Sequence, residues 1–212
     1  MIRVLIVDDH AIVREGLGNV LSTEKDMVIA ALAASGAEAL QRIVDTPVDV
    51  VLLDMTMPGM NGIETLKQIK MDQPRLPVLM LSMHPEAQYA VRCLKAGAAG
   101  YLTKACEKKA LVEAVRCVAA GGQYLTPAVS GCLCREVQQP GSGEASHRQL
   151  SDREFEVFKQ IAEGRSLAEM AKRMNLSPKT VSTYRTRILG KMGLAGNAEI
   201  MRYAFEQGLT QK

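Results

Sequence analysis

The chain has 212 residues, 47% of them hydrophobic and 23% charged, with no Trp, 3 Phe and 5 Tyr. This composition belongs to a folded chain of one large or two small domains and excludes a disordered one. The aromatic shortage argues against an aromatic cage or a stacking platform for single-stranded nucleic acid, and leaves the cores to Ala, Val, Ile, Leu and the 12 Met. The net charge of +3 is unevenly spread. Residues 1–122 carry 13 Lys and Arg against 14 Asp and Glu, residues 123–212 carry 13 against 9, and 165–191 carry seven basic residues with Glu169 the lone acid. A near-neutral half joined to a half with a basic stretch suggests one domain facing small chemistry and one facing an anionic polymer. The N-terminus reaches Asp8 and Asp9 too soon for a signal peptide, and no apolar run is long enough to cross a membrane, so a cytoplasmic protein without membrane partners is expected. Cys93, Cys106, Cys117, Cys132 and Cys134 lack zinc-ligand spacing and read as reduced thiols.

The first half alternates strand and helix. Residues 2–7 are an apolar run of strand length, and 11–22 carry apolar residues at helical spacing. The alternation repeats as strand 27–33 and helix 37–44, strand 48–53 and helix 62–70, strand 77–81 and helix 86–95, strand 100–103 and helix 108–120. Five such units predict an α/β domain over 1–122, a five-stranded parallel sheet of the flavodoxin-like, doubly wound kind. Several strands are continuously apolar, as strands covered on both faces must be.

In such sheets function collects at the carboxyl ends of the strands. There the chain places Asp8 and Asp9 after strand 1, Asp54 after strand 3, Ser82 after strand 4 and Lys104 after strand 5. Three converging carboxylates repel one another unless a cation sits among them, and hard oxygen donors suit Mg²⁺. Lys104 offsets the remaining charge and can hold an anionic oxygen, and the Ser82 hydroxyl can donate to another. Together they form a site for a phosphoryl group carried on one carboxylate.

The stretches Val7-Asp8-Asp9-His10, Leu53-Asp54-Met55-Thr56-Met57-Pro58-Gly59-Met60-Asn61-Gly62, Met80-Leu81-Ser82 and Gly100-Tyr101-Leu102-Thr103-Lys104 make residues 1–120 resemble a CheY-type receiver domain. The resemblance implies that Asp54 accepts a phosphoryl group from a sensor histidine kinase or a phosphotransfer protein. It further implies that Asp9, Asp54 and the backbone carbonyl of Thr56 bind Mg²⁺, with Asp8 positioning it. Lys104 would contact the phosphate, and Ser82 and Tyr101 would be a switch pair, Tyr101 turning inward as Ser82 moves toward the phosphoryl group. Ala105 stands where many receivers have Pro, so their cis Lys–Pro bond is expected to be absent.

Residues 123–147 read as a linker with a short helix near 126–137 and a Gly/Ser-containing tether at 138–146. From 148 to 212 a small all-α domain of four helices follows. Ser151-Asp152-Arg153-Glu154 has capping-box spacing, Ser166 caps a second helix, 174–176 form a turn, and Ser177-Pro178 starts a longer helix to about 192. A last helix runs from 197 to about 207. Short helix, turn and longer helix form a helix-turn-helix, with Val181, Tyr184, Ile188 and Leu189 expected inward. On the free face Ser182, Thr183 and Thr186 suit base edges, and Lys179, Arg187 and Lys191 suit phosphates. Arg185, between the faces, reads as a phosphate contact or an intramolecular ion pair.

Leu150-Ser151-Asp152-Arg153-Glu154-Phe155-Glu156-Val157, Leu176-Ser177-Pro178-Lys179-Thr180-Val181 and Leu189-Gly190-Lys191-Met192 make residues 150–210 resemble the LuxR-type domain of the NarL/FixJ regulators. The run 181–187 is nearest the branch that includes BvgA and GacA. The two resemblances together imply a two-component response regulator that, once phosphorylated, binds double-stranded promoter DNA as a homodimer to regulate transcription. RNA polymerase is then a candidate partner, and catalysis is confined to the receiver's own phosphorylation and dephosphorylation. The alternatives are a constitutive DNA binder whose receiver only dimerises, and a haloacid-dehalogenase-like phosphatase. The second lacks that family's second Asp, since position 56 is Thr.

Overall fold

The computed structural model describes residues 1–83, 86–138 and 147–209, with side-chain surroundings omitted for 86–88 and 135–138. Contacts divide the chain into two compact units, Met1–Gln138 and Gln139–Lys212.

In the first unit, strands β1 (Ile2–Val7), β2 (Met27–Ala33), β3 (Val50–Asp54), β4 (Val78–Ser82) and β5 (Gly100–Thr103) alternate with helices α1 (Ala11–Ser22), α2 (Gly36–Asp45), α3 (Gly62–Asp72), α4 (Glu86–Lys95) and α5 (Lys108–Ala119). All strands are parallel, in the order β2-β1-β3-β4-β5. The chain therefore reverses direction across the sheet between β1 and β3, where the carboxyl ends leave a crevice. Alternate residues divide between two buried faces. Val4, Ile6, Val50, Leu52, Leu79, Leu81 and Leu102 pack with Leu21 of α1 and Leu111, Val115 and Val118 of α5. Leu5, Val51, Leu53, Met80 and Tyr101, pointing the other way, are equally buried. Burial on both faces is the physical reason these strands read as unbroken apolar runs. Arg3 of β1 holds Asp49 through two guanidinium hydrogen bonds of 2.7 and 2.9 Å, fixing the entry to β3.

Helix α6 (Pro127–Gln138) corrects the linker reading. It belongs to the first compact unit, packs against α4 and buries Val129 and Cys132. Tyr124 bridges to Gly100 at the start of β5, bringing the segment back along the sheet edge. The tether residues 139–146 lie outside the described residues. None of the five cysteines is in a disulfide. No peptide bond among the described residues is cis, the one after Lys104 included.

The second unit holds α7 (Asp152–Ala162), α8 (Leu167–Met174), α9 (Pro178–Met192) and α10 (Asn197–Glu206). Ser151 with Glu154 and Ser166 with Glu169 form reciprocal capping boxes, and Ser177 caps α9 with Pro178 in its first turn. Asn175 ends α8 in the left-handed conformation (φ 52°), reversing the chain toward α9. Phe155, Phe158, Ile161, Met170, Val181, Ile188 and Ile200 form the core. Tyr184 and Leu189, expected inward, are only half-buried, and Met192 takes the inner position at the end of α9. The scarce aromatics gather here, where Phe155, Phe158 and Tyr203 surround His147, whose Nδ1 lies 3.0 Å from the Tyr203 hydroxyl. Among the described residues no helix is long and apolar enough to cross a membrane.

Candidate functional sites of the two units

Strand ends build the first site. Asp8 follows β1, Asp54 closes β3, Ser82 closes β4 and Lys104 follows β5, each carried there by the parallel register. The Lys104 backbone N–H donates to the Ser82 carbonyl (2.7 Å), and that of Met55 donates to the Leu81 carbonyl (2.9 Å), locking the loops on the sheet edge. Gly62 is required beneath Asp54, because a Cβ there would lie 2.2 Å from the Asp54 carbonyl oxygen and 2.6 Å from the Met55 Cα. Asn61 and Glu64 then cap α3 reciprocally and hold the loop over 55–61.

The Lys104 ammonium lies 2.6 Å from Asp8 Oδ2 and 2.9 Å from Asp54 Oδ1. All three side chains are buried, Asp8 to 1% exposure, Asp54 to 3% and Lys104 to 9%. Burial pushes the Asp54 carboxyl up to about 6, and the neighbouring Asp8 charge pushes the same way, against Lys104 and a hydrogen bond from the Thr56 backbone. Burial also opposes charge on Lys104, but Asp54 and Asp8 outweigh it and hold the ammonium protonated above its ordinary range.

One ligand atom from each of Asp8, Asp9, His10 and Asp54 falls within 4.8 Å of the others. Asp9 Oδ1 is buried, with His10 Nδ1 2.9 Å away. A cluster of three carboxylates, hard oxygen donors that repel one another, fits a divalent cation. His10 is the member of this cluster that the strand-end argument missed. It stands at the N-cap position of α1 without a side-chain capping bond, and its ring lies beside the carboxylates. Ser82 and Tyr101 are both fully buried. Tyr101 thus already points inward, whereas the resemblance has it turn in after phosphorylation. Its place on the face opposite α5, where α4 packs on β5, accounts for the burial.

The second site is the free face of α9. Lys179, Thr183, Thr186 and Arg187 are exposed there and Ser182 is partly so. The Thr183 and Thr186 hydroxyls donate to the carbonyls of Lys179 (3.0 Å) and Ser182 (3.1 Å), one turn back. Two basic residues find partners the sequence did not show. Arg185 Nε donates to Asn197 Oδ1 (2.6 Å), so its partner is a neutral amide at the start of α10. The Lys191 ammonium lies 2.6 Å from Glu154 Oε2. Burial disfavours the Glu154 charge, yet the hydrogen bonds from Lys191 and Ser151 bring its carboxyl below the usual range. Lys172 and Arg173 of α8 are exposed beside the turn and were not singled out in the sequence.

Residues 4–116 match the response regulator receiver domain, and residues 148–204 match the LuxR family of bacterial regulatory proteins. The chain belongs to the LuxR-type response regulators. The regulator is 34% identical to response regulator UvrY of Escherichia coli over 209 residues, 99% of this chain and 96% of that one. It is 34% identical to response regulator GacA of Pseudomonas aeruginosa over 210 residues, 99% of this chain and 98% of that one. Among solved structures it resembles RcsB of Salmonella enterica serovar Typhimurium bound to promoter rprA in the presence of phosphomimetic BeF3⁻. There the TM-score is 0.66 and the identity 25%, over 95% of this chain and 97% of that one. It also resembles a LuxR-family response regulator of Aurantimonas, with TM-score 0.60 and 32% identity, over 64% of this chain and 97% of that one.

Proposed function

We propose that Asp54 is the phosphoacceptor of this regulator and that its phosphorylation licenses the α9 face to bind promoter DNA. The observation that supports this reading most is the buried Lys104 ammonium, 2.9 Å from the Asp54 carboxylate at the open edge of the sheet. An Asp54 oxygen attacks the phosphorus of a phosphohistidine on a sensor kinase or phosphotransfer protein. The P–O bond forms as the P–N bond breaks, and the imidazole leaves with a proton from solvent. Asp54 titrates near 6 and is therefore largely ionised for attack at neutral pH. Lys104 sits where it meets an equatorial oxygen, and the Ser82 hydroxyl can donate to another. Mg²⁺, held by Asp9, Asp54 and the Thr56 carbonyl with Asp8 positioning it, would neutralise charge on those oxygens. The acyl phosphate carries roughly −1.5 to −2 charge where the ionised carboxylate carried about −1, and it moves that charge out toward Ser82 and Lys104, which biases the β4–α4–β5 surface with Tyr101 as its buried partner.

In the second unit, Ser182, Thr183 and Thr186 face base edges and Lys179 and Arg187 face phosphates, with DNA bound by a homodimer. That the similar RcsB is solved bound to promoter DNA supports DNA as the ligand. The regulator's own chemistry is limited to gaining and losing its phosphoryl group. The test is labelling by acetyl phosphate with Mg²⁺. Wild type should take up one phosphoryl group and Asp54→Asn none; labelling that persists in the variant places the acceptor elsewhere.

A further inference from the structure

The amino-terminal edge of the sheet, opposite Asp54, carries a cleft of about 760 Å³, a volume in the range of small-molecule sites. It opens between the segments that enter β3, β4 and β5, and the last turn of α5 lines one side. Leu76, Ala98 and Val118 give it buried apolar walls. The charged residues lining it are Asp49, Lys70 and Arg75. Asp49 is neutralised by Arg3, which donates to both of its carboxylate oxygens. The two cations have no such partner. The Lys70 stem lies across Gly97, where φ is +99° and a Cβ would fall 3.2 Å from Lys70 Cγ, so glycine leaves room for the stem. The ammonium donates to the carbonyls of Leu76 (2.7 Å) and Pro74 (3.4 Å), and its third N–H has no protein acceptor among the described residues. Burial pushes Lys70 below its ordinary value, with no acid acting against it. Arg75 is exposed on the loop before β4, and its side chain has no partner among the described residues.

We propose that this cleft binds a small organic anion, a carboxylate or phosphate head on an apolar body, with Lys70 and Arg75 holding the head. A half-buried ammonium whose partners are carbonyls lacks a counter-charge, and an anionic head supplies one. The remaining N–H of Lys70 gives one charge-assisted hydrogen bond, and the planar Arg75 guanidinium matches two oxygens of a carboxylate or phosphate. Leu76, Ala98 and Val118 then cover the apolar body. The same two charges repel a cationic ligand, and a neutral one leaves the ammonium without its counter-charge. This cleft and Asp54 lie at opposite ends of the same strands, so either assignment can fail without the other.

Full-length ¹⁵N-labelled protein is titrated with 1-naphthoate, with 1-naphthyl phosphate and with the neutral 1-naphthalenemethanol, and its amide resonances are followed by magnetic resonance. The anions should give saturable shifts centred on Gly97, Ala98, Ala99, Gly121 and Gly122, which line the cleft. The tighter of the two identifies the head group. The alcohol should bind roughly tenfold more weakly, the worth of one charge-assisted hydrogen bond. Arg75→Gln changes an exposed side chain and should keep the fold while weakening the preferred anion by a similar factor. Lys70→Met keeps the stem over Gly97 and should do the same; if that variant does not fold, Arg75→Gln decides alone. The absence of saturable shifts, shifts centred elsewhere, an alcohol that binds as tightly as the anions, or a folded variant with unchanged anion affinity each overturns the proposal.

Discussion

Asp54 is buried, and the proposed phosphoacceptor role requires it charged, two demands that conflict. Without a cation, burial and the Asp8 charge raise its carboxyl to about 6 despite Lys104. In the unfolded chain it titrates near the ordinary carboxyl value of 3.8. Between these values the native state binds more protons than the unfolded one, so this group's contribution to stability falls as the pH rises from about 4 to about 6. The loss amounts to about 3 kcal/mol above that window. Metal-free Asp54→Asn should therefore be more stable than wild type in urea melts at pH 7.5, and the two should converge near pH 4. A difference that does not vary with pH would show that Asp54 is not the strained group. Asp8, Asp9, Asp54, Ser82 and Lys104 were legible as a site because each lies at the end of a strand, and a parallel sheet carries all strand ends to one edge. His10 was not legible, since a residue at the start of a helix carries no sign in sequence of which way its ring turns.

Helix α9 shows the same division at the scale of an element. Its start was readable from Ser177-Pro178, and its free face from the spacing of Lys179, Thr183, Thr186 and Arg187. What reaches that face from other elements was not. Lys191 falls on the phosphate-facing side by periodicity, yet its ammonium is taken by Glu154, a buried residue of α7 that also completes the capping box with Ser151. Arg187→Ala should weaken binding to all DNA sequences and lower the slope of log affinity against log salt by about one. Lys191→Met should leave that slope unchanged and destabilise the helical unit by about 1 kcal/mol, a modest value because the ammonium is partly exposed. A full unit of lost slope for Lys191→Met in filter-binding titrations would return it to the phosphate contacts. Helix α6 is a parallel case. Its existence was visible between Thr126 and Val137, but its membership of the first unit depends on its packing against α4, with Val129 and Cys132 buried.

The whole molecule couples two units with separate cores, a sheet built from aliphatic side chains and a helical unit in which aromatics concentrate. The near-neutral charge of the first and the basic stretch of the second match an input that takes one phosphoryl group and an output that meets a polyanion. Acetyl phosphate should raise affinity for promoter DNA by a factor on the order of 5–150, the usual range of coupling between two sites. The increase should be absent in Asp54→Asn. Gel shifts that are equal with and without phosphodonor would favour a constitutive DNA binder whose receiver only dimerises.

By itself the sequence determined the alternation of elements, the parallel sheet, the helix caps and the residues at the strand ends. These depend on local periodicity, on turn chemistry and on a topology with one permitted hand. Only the tertiary structure decided that Tyr101 is buried, that His10 joins the carboxylates, that Arg185 and Lys191 are held by Asn197 and Glu154, and that α6 belongs with α4. The reason is common to all of them. A side chain's type and spacing fix the face it occupies, but its partner comes from a segment distant in sequence, and long polar side chains reach several candidates until packing selects one.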